Sequence, residues 1–172
     1  PSLQSVTLCE IDLAVVDIAR KHLRAVHHGA LDDPRLALRI EDGFAFVRNA
    51  QASYDLIVLD LTDPGGPSTP LYTADFYRAC AARLNPQGAL TLHVGSPVAH
   101  PVRIRDVLAR LREAFPVVSP YLTSIPLYGG LLVMACAAPS LDPRRRTGLE
   151  ADRRIAQRGR EDQGGAQQGQ AV

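Results

Sequence analysis

The sequence predicts an α/β fold built on a mostly parallel, doubly wound sheet, and three observations lead there. Apolar runs of strand length alternate with amphipathic stretches of helical period over roughly the first 138 residues. One run, Tyr54–Leu59, is long and apolar enough for a strand covered on both faces. It opens into Asp60, Asp63 and a Gly/Pro-studded loop that closes at Pro67. Acids at such a point lie in the crevice at a sheet's carboxyl edge, where open α/β folds bind ligands.

Each element has its own signal. Residues 6–9 (VTLC) form an apolar run closing on Glu10 and read as the first strand. A helical stripe over 13–23 follows, with Asp12 placed as its N-cap. Asp32-Asp33-Pro34 marks a loop before the strand Leu36–Ile40. Glu41-Asp42-Gly43 turns the chain into a brief helix over 44–48. Thr73 is placed to cap a helix over 74–84, which Asn85-Pro86-Gln87-Gly88 stops. A strand over 89–94, an amphipathic helix over 102–115 and two closing strands over 117–122 and 131–137 complete the pattern.

Composition narrows the class. The chain of 172 residues, 46% hydrophobic and 22% charged, suits one soluble globular domain over 1–138. The rest, 139–172, is arginine-rich and then Gln/Gly-rich, and reads as a largely disordered tail. A formal charge of +1 and arginines without interleaved aromatics argue against a nucleic-acid partner. No apolar stretch reaches transmembrane length, so no membrane partner is expected, and the location read is cytoplasmic. Cys9, Cys80 and Cys136 lack metal-ligand spacing and read as reduced thiols; no metal site is expected. His27-His28 reads as a solvated helix terminus, and Ser96-Pro97 lacks the surroundings of a nucleophile.

Three acids follow one logic. Glu10, Asp42 and Asp60 each end or follow a strand, so all three converge on one edge of a parallel sheet. Singly, such an acid caps a helix more often than it binds a ligand. Together, their order favours a nucleoside site, with Glu10 on ribose hydroxyls and Asp42-Gly43 at the base.

The motifs CEID at 9–12, EDGFAFVR at 41–48, YDLIVLDLTDPGGP at 54–67, LYTADFYRAC at 71–80 and IPLYGG at 125–130 resemble the polyamine aminopropyltransferases, the spermidine synthase family. The resemblance implies a Rossmann-like fold of the methyltransferase type. It also implies transfer of an aminopropyl group from decarboxylated S-adenosylmethionine to putrescine, giving spermidine and methylthioadenosine in polyamine biosynthesis. Position by position, Glu10 would bind the donor's ribose, and Asp42, Gly43 and Pro67 its adenine. Asp60 would be the catalytic acid that handles the attacking amine. Leu61, Thr62, Asp63 and Tyr128 would hold the diamine. The donor is a co-substrate, so no permanently bound cofactor is expected. His93 stands where relatives often place glutamine.

The chain also departs from the family. Relatives begin with a β-rich domain, a first strand and a Gly-rich loop, whereas this sequence opens at what would be the second strand. It therefore reads as truncated at its N-terminus and inactive alone, with two strand edges left unpaired. Family members associate through the portion absent here, so homo-oligomers are an expectation for the full-length protein only. A small-molecule methyltransferase using S-adenosylmethionine and a non-catalytic, partner-binding remnant stand as alternatives.

Overall fold

The computed structural model describes residues 3–126 and 130–143. It opens with β1 (Val6–Glu10), α1 (Leu13–His22), α2 (Arg24–His27), β2 (Leu36–Ile40) and α3 (Gly43–Asn49). It continues with β3 (Tyr54–Leu59), α4 (Ala74–Ala81), β4 (Leu84–Gly95), α5 (Pro101–Ala114), β5 (Val117–Ile125) and β6 (Gly130–Ala138). The expected tail falls almost wholly outside the described residues, and so does Tyr128.

The expected caps are in place. Asp12 Oδ1 accepts from the Ala14 amide at 2.8 Å, and Thr73 Oγ1 from the Phe76 amide at 3.3 Å. Each satisfies one of the amide donors that a helix start leaves without an intrahelical partner. His27 closes α2 rather than standing free, and its Nδ1 accepts from the Gly29 amide at 3.0 Å.

The strands form two sheets. β1 and β2 pair in parallel from Val6 opposite Leu36 to Glu10 opposite Ile40. The second sheet has the order β3-β4-β6-β5, with β3 and β4 parallel and β6 antiparallel to both its neighbours. The parallel expectation therefore holds for the first four strands and gives way to a hairpin at the end of the domain. β1 pairs only with β2, and β3 only with β4. Among the described residues each keeps an unpaired edge, as the resemblance implies for these two strands.

Two further expectations need correction. The 74–84 helix stops at Ala81, and the Asn85–Gly88 tetrapeptide lies inside β4 rather than in a preceding loop. Leu84 pairs with Tyr54, and the register then slips so that Ala89 faces Leu56. The intervening residues bulge out of the ladder. Gly88 fits there without strain, whereas a Cβ would stand 3.0 Å from the Asn85 and Tyr54 carbonyl oxygens and the backbone would have to give. The second correction concerns β3, which is not covered on both faces: Leu56 and Val58 are 57% and 62% exposed.

The reason is one-sided packing. Leu90, Leu92 and Val94 of β4 and Val133, Ala135 and Ala137 of β6 are buried at every second position. This period aims one face of the sheet at Phe76, Tyr77 and Cys80 of α4 and Val107, Leu108 and Leu111 of α5. Fully burying a side chain such as Leu90 contributes about 1.5–3 kcal/mol. Phe76 also meets Phe44 of α3 edge-on, with ring centroids 5.2 Å apart, which ties the first half of the chain to this core.

Candidate functional site

The parallel pairing of β1 and β2 brings Glu10 and the Glu41-Asp42-Gly43 turn to the same end of their sheet. Glu10 Oε1 accepts from the Asp12 amide at 2.9 Å, and Asp42 Oδ1 from the Ala45 amide at 2.8 Å. Each carboxylate thus serves its local turn through one oxygen. The capping role and a ligand role are compatible, because a carboxylate has two oxygens and about four acceptor sites. At Gly43 nothing lies within 4 Å of where a Cβ would stand, so the backbone there is open to approach.

β3 ends at Leu59, and Asp60 begins the loop at the carboxyl end of the other sheet. Buried polar groups hold that loop. Ser68 Oγ donates to the carbonyls of Thr62 and Asp63, both at 3.1 Å, and Tyr72 Oη donates to the Thr62 carbonyl at 3.0 Å. Thr62 Oγ1 donates to Ser68 Oγ at 3.1 Å. Ser68 and Tyr72 are almost fully buried. The loop is therefore built from beneath, which keeps its acids in place.

Between the facing edges of β1 and β3 lies a cleft of about 610 Å³. Glu10, Asp42, Gly43, Asp60, Leu61, Thr62 and Pro67 all line it. The structure thus gathers the expected nucleoside and amine residues into one cavity, with two exceptions. Asp63 does not line it, and Tyr128 lies outside the described residues. Sequence reasoning missed Glu41, Phe46 and Val47, which also line the cleft. The helical period of EDGFAFVR, which sets 43, 46 and 47 on one face of α3, was the available signal.

The cleft is acidic. Glu10, Glu41, Asp42 and Asp60 line it, against the single guanidinium of Arg83. Burial, and then the charges of Glu41, Asp42 and Glu10, push the neighbouring Cys9 thiol up from its ordinary 9.0. Asp63 has a different setting, since Arg103 Nη1 lies 2.8 Å from its Oδ1. That contact is the main reason its carboxyl lies below the ordinary 3.8. Burial, followed by the charge of Asp63, pushes the Tyr72 phenol up. Among the described residues no cluster of three or more His, Cys, Asp or Glu could hold a metal. No helix among them is long and apolar enough to cross a membrane.

Comparison with known proteins gives consistent matches. Residues 1–141 match the Spermine/spermidine synthase domain. The polyamine aminopropyltransferase of Nitrosomonas europaea is 49% identical over 159 residues, covering 92% of this chain and 49% of that protein. The crystal structure of spermidine synthase from Thermotoga maritima superposes with a TM-score of 0.74 at 30% identity, covering 81% of this chain and 47% of that one. A spermidine synthase in complex with the transition-state analogue AdoDATO gives 0.76 at 31% identity, over 81% and 48%. The chain spans about half the length of the curated relatives it matches. With the domain match running from the first strand through the closing hairpin, the chain belongs to the spermine/spermidine synthase family.

Proposed function

We propose that this chain forms the donor and acceptor halves of an aminopropyltransferase site. The reaction is transfer from decarboxylated S-adenosylmethionine to putrescine, giving spermidine and methylthioadenosine. The observation that carries the reading is the single acidic cleft shared by Glu10, Asp42 and Asp60. The structural likeness to a synthase holding a transition-state analogue supports it. The reading includes a cytoplasmic location, as expected for an enzyme of small-molecule biosynthesis.

The chemistry suits these side chains. Glu10 takes the ribose hydroxyls, while Asp42 and the open backbone at Gly43 take the adenine edge, with Pro67 packing nearby. The sulfonium is already a good leaving group, so the protein's task is to deliver a neutral amine in line with the carbon beside sulfur. An alkylamine has a pKa of about 10.4 in water and arrives protonated. Asp60 attracts and aligns that ammonium and takes one proton from it, freeing the nitrogen lone pair that forms the new C–N bond. The C–S bond breaks and its electron pair returns to sulfur, leaving a neutral thioether. Asp63, with the backbone of Leu61 and Thr62, holds the amine, and the family resemblance adds Tyr128, which is outside the described residues, to the acceptor's partners.

Calorimetric titration with methylthioadenosine tests the donor half. Saturable binding that Glu10→Gln or Asp42→Asn weakens by about tenfold or more is the expected result. Binding indifferent to both substitutions would sink the assignment.

A further inference from the structure

The acceptor loop is not electrostatically free in this chain. Arg103 stands in the first turn of α5, and its Nη1 meets Asp63 Oδ1 at 2.8 Å as a close ion pair rather than an aligned hydrogen bond. The two side chains differ in access: Arg103 is 22% exposed and Asp63 59%. A sheltered guanidinium is therefore held against a carboxylate that still faces open space. His100 and His93 lie close enough to act on Asp63 in the same direction as Arg103.

Gly95 lies beneath this arrangement. It ends β4 with φ +140, and a Cβ built there would lie 3.8 Å from Arg103 Cδ and 3.6 Å from His100 Cβ. The arginine stem thus packs across a residue without a side chain. A Cβ at 95 would make ordinary contacts with both, so it is the φ of +140, which L side chains rarely adopt, that calls for glycine there.

We propose that Arg103 is a specificity-determining residue of the acceptor site. By compensating one of the two carboxylates of the 60–63 loop, it grades acceptor amines by charge and favours a diamine over longer polyamines. The proposal rests on the amine reading given above. With Asp63 offset, the loop presents about one net negative charge instead of two. Every ammonium that enters then feels a nearby fixed positive charge, and the penalty grows with the number of ammonium groups. One round of transfer adds an ammonium to the acceptor. Arg103 therefore works against keeping the product and against a second transfer.

Calorimetry with n-butylamine, putrescine and spermidine at fixed ionic strength tests this on the protein, Arg103→Gln, Arg103→Met and Arg103→Lys. The Met variant keeps an apolar stem over Gly95, so the charge test survives if Gln disturbs α5. Loss of the charge should tighten binding by about threefold per ligand charge, so about 3-, 10- and 30-fold along the series. Arg103→Lys should keep the gradation of the parent. Equal changes for all three amines, or weaker binding of all three at an unchanged melting temperature, would overturn the proposal while leaving the amine site standing. No binding of any amine by any of the proteins would overturn both readings.

Discussion

The two sheets of this molecule differ in how they are held. The β3-β4-β6-β5 sheet, together with α4, α5 and the segments beside them, holds nearly all the buried apolar side chains, from Leu59 to Ala138. In the β1-β2 unit with α1, Val16 is the buried apolar residue, while Ile11, Leu13, Val15, Ile18 and Val26 are about half exposed or more. The amine side of the proposed site stands on the packed sheet, and the nucleoside side on the other. The nucleoside half of the site and most of the buried core are thus supplied by different parts of one chain. Ligand binding to Glu10 and Asp42 should order the weaker part more than the stronger.

The largest expected contrast is in side-chain truncation. Phe76→Ala should lower stability by about 3–5 kcal/mol, whereas Leu8→Ala on the β1 edge should change it by about 0.5 kcal/mol. Urea unfolding measures both. Similar losses at the two positions would show that the β1-β2 unit has a core of its own.

Next comes function without stability. Glu10→Gln should weaken methylthioadenosine binding by about 10–100-fold, the scale of a charged hydrogen bond, and leave the melting temperature unchanged. A parallel fall in melting temperature would mean that Glu10 supports the fold through its bond to the Asp12 amide rather than serving a ligand.

A smaller effect compares two caps. Thr73→Ala removes the cap of α4, a core helix, and should cost about 1 kcal/mol in global stability. Asp12→Ala should fray α1 locally, seen as faster amide exchange there, without moving the cooperative unfolding transition.

At neutral pH the smallest effects come from titrating groups. Burial pushes the Cys80 thiol up to about 12 from its ordinary 9.0. A raised folded-state value means its contribution is complete below 9.0 and is lost as pH rises through about 12. Circular dichroism of Cys80→Ala should show a shallower alkaline decline than the parent. On the weaker side, hydrogen bonds from Arg35 lower Asp33 from 3.8 to about 2. Its contribution is present above 3.8 and lost as pH falls through about 2, and an NMR titration of the Asp33 carboxyl should show that midpoint.

Much of this was legible because it is local. The caps Asp12 and Thr73, the strand Tyr54–Leu59 and the turn at Asp42-Gly43 are set by neighbours a few residues away, and short-range chemistry declares them. The convergence of Glu10, Asp42 and Asp60 was also readable, since parallel strands that alternate with helices bring their carboxyl ends to one edge. The bulge at Asn85–Gly88 was not readable. Its residues are ordinary helix-stop and turn formers, and only pairing with β3 draws them into a strand.

The sequence by itself determined the order of the main strands and helices and the acids at the strand ends, because periodicity and turn chemistry act over a few residues. Tertiary structure alone decided that α4 and α5 share one face of the four-stranded sheet, leaving Leu56 and Val58 open on the other. It also decided that Arg103, forty residues along the chain, would meet Asp63. No local pattern encodes such a contact. It exists only once β4 and α5 have packed, because charge and exclusion from water act between groups by distance in space, not along the chain.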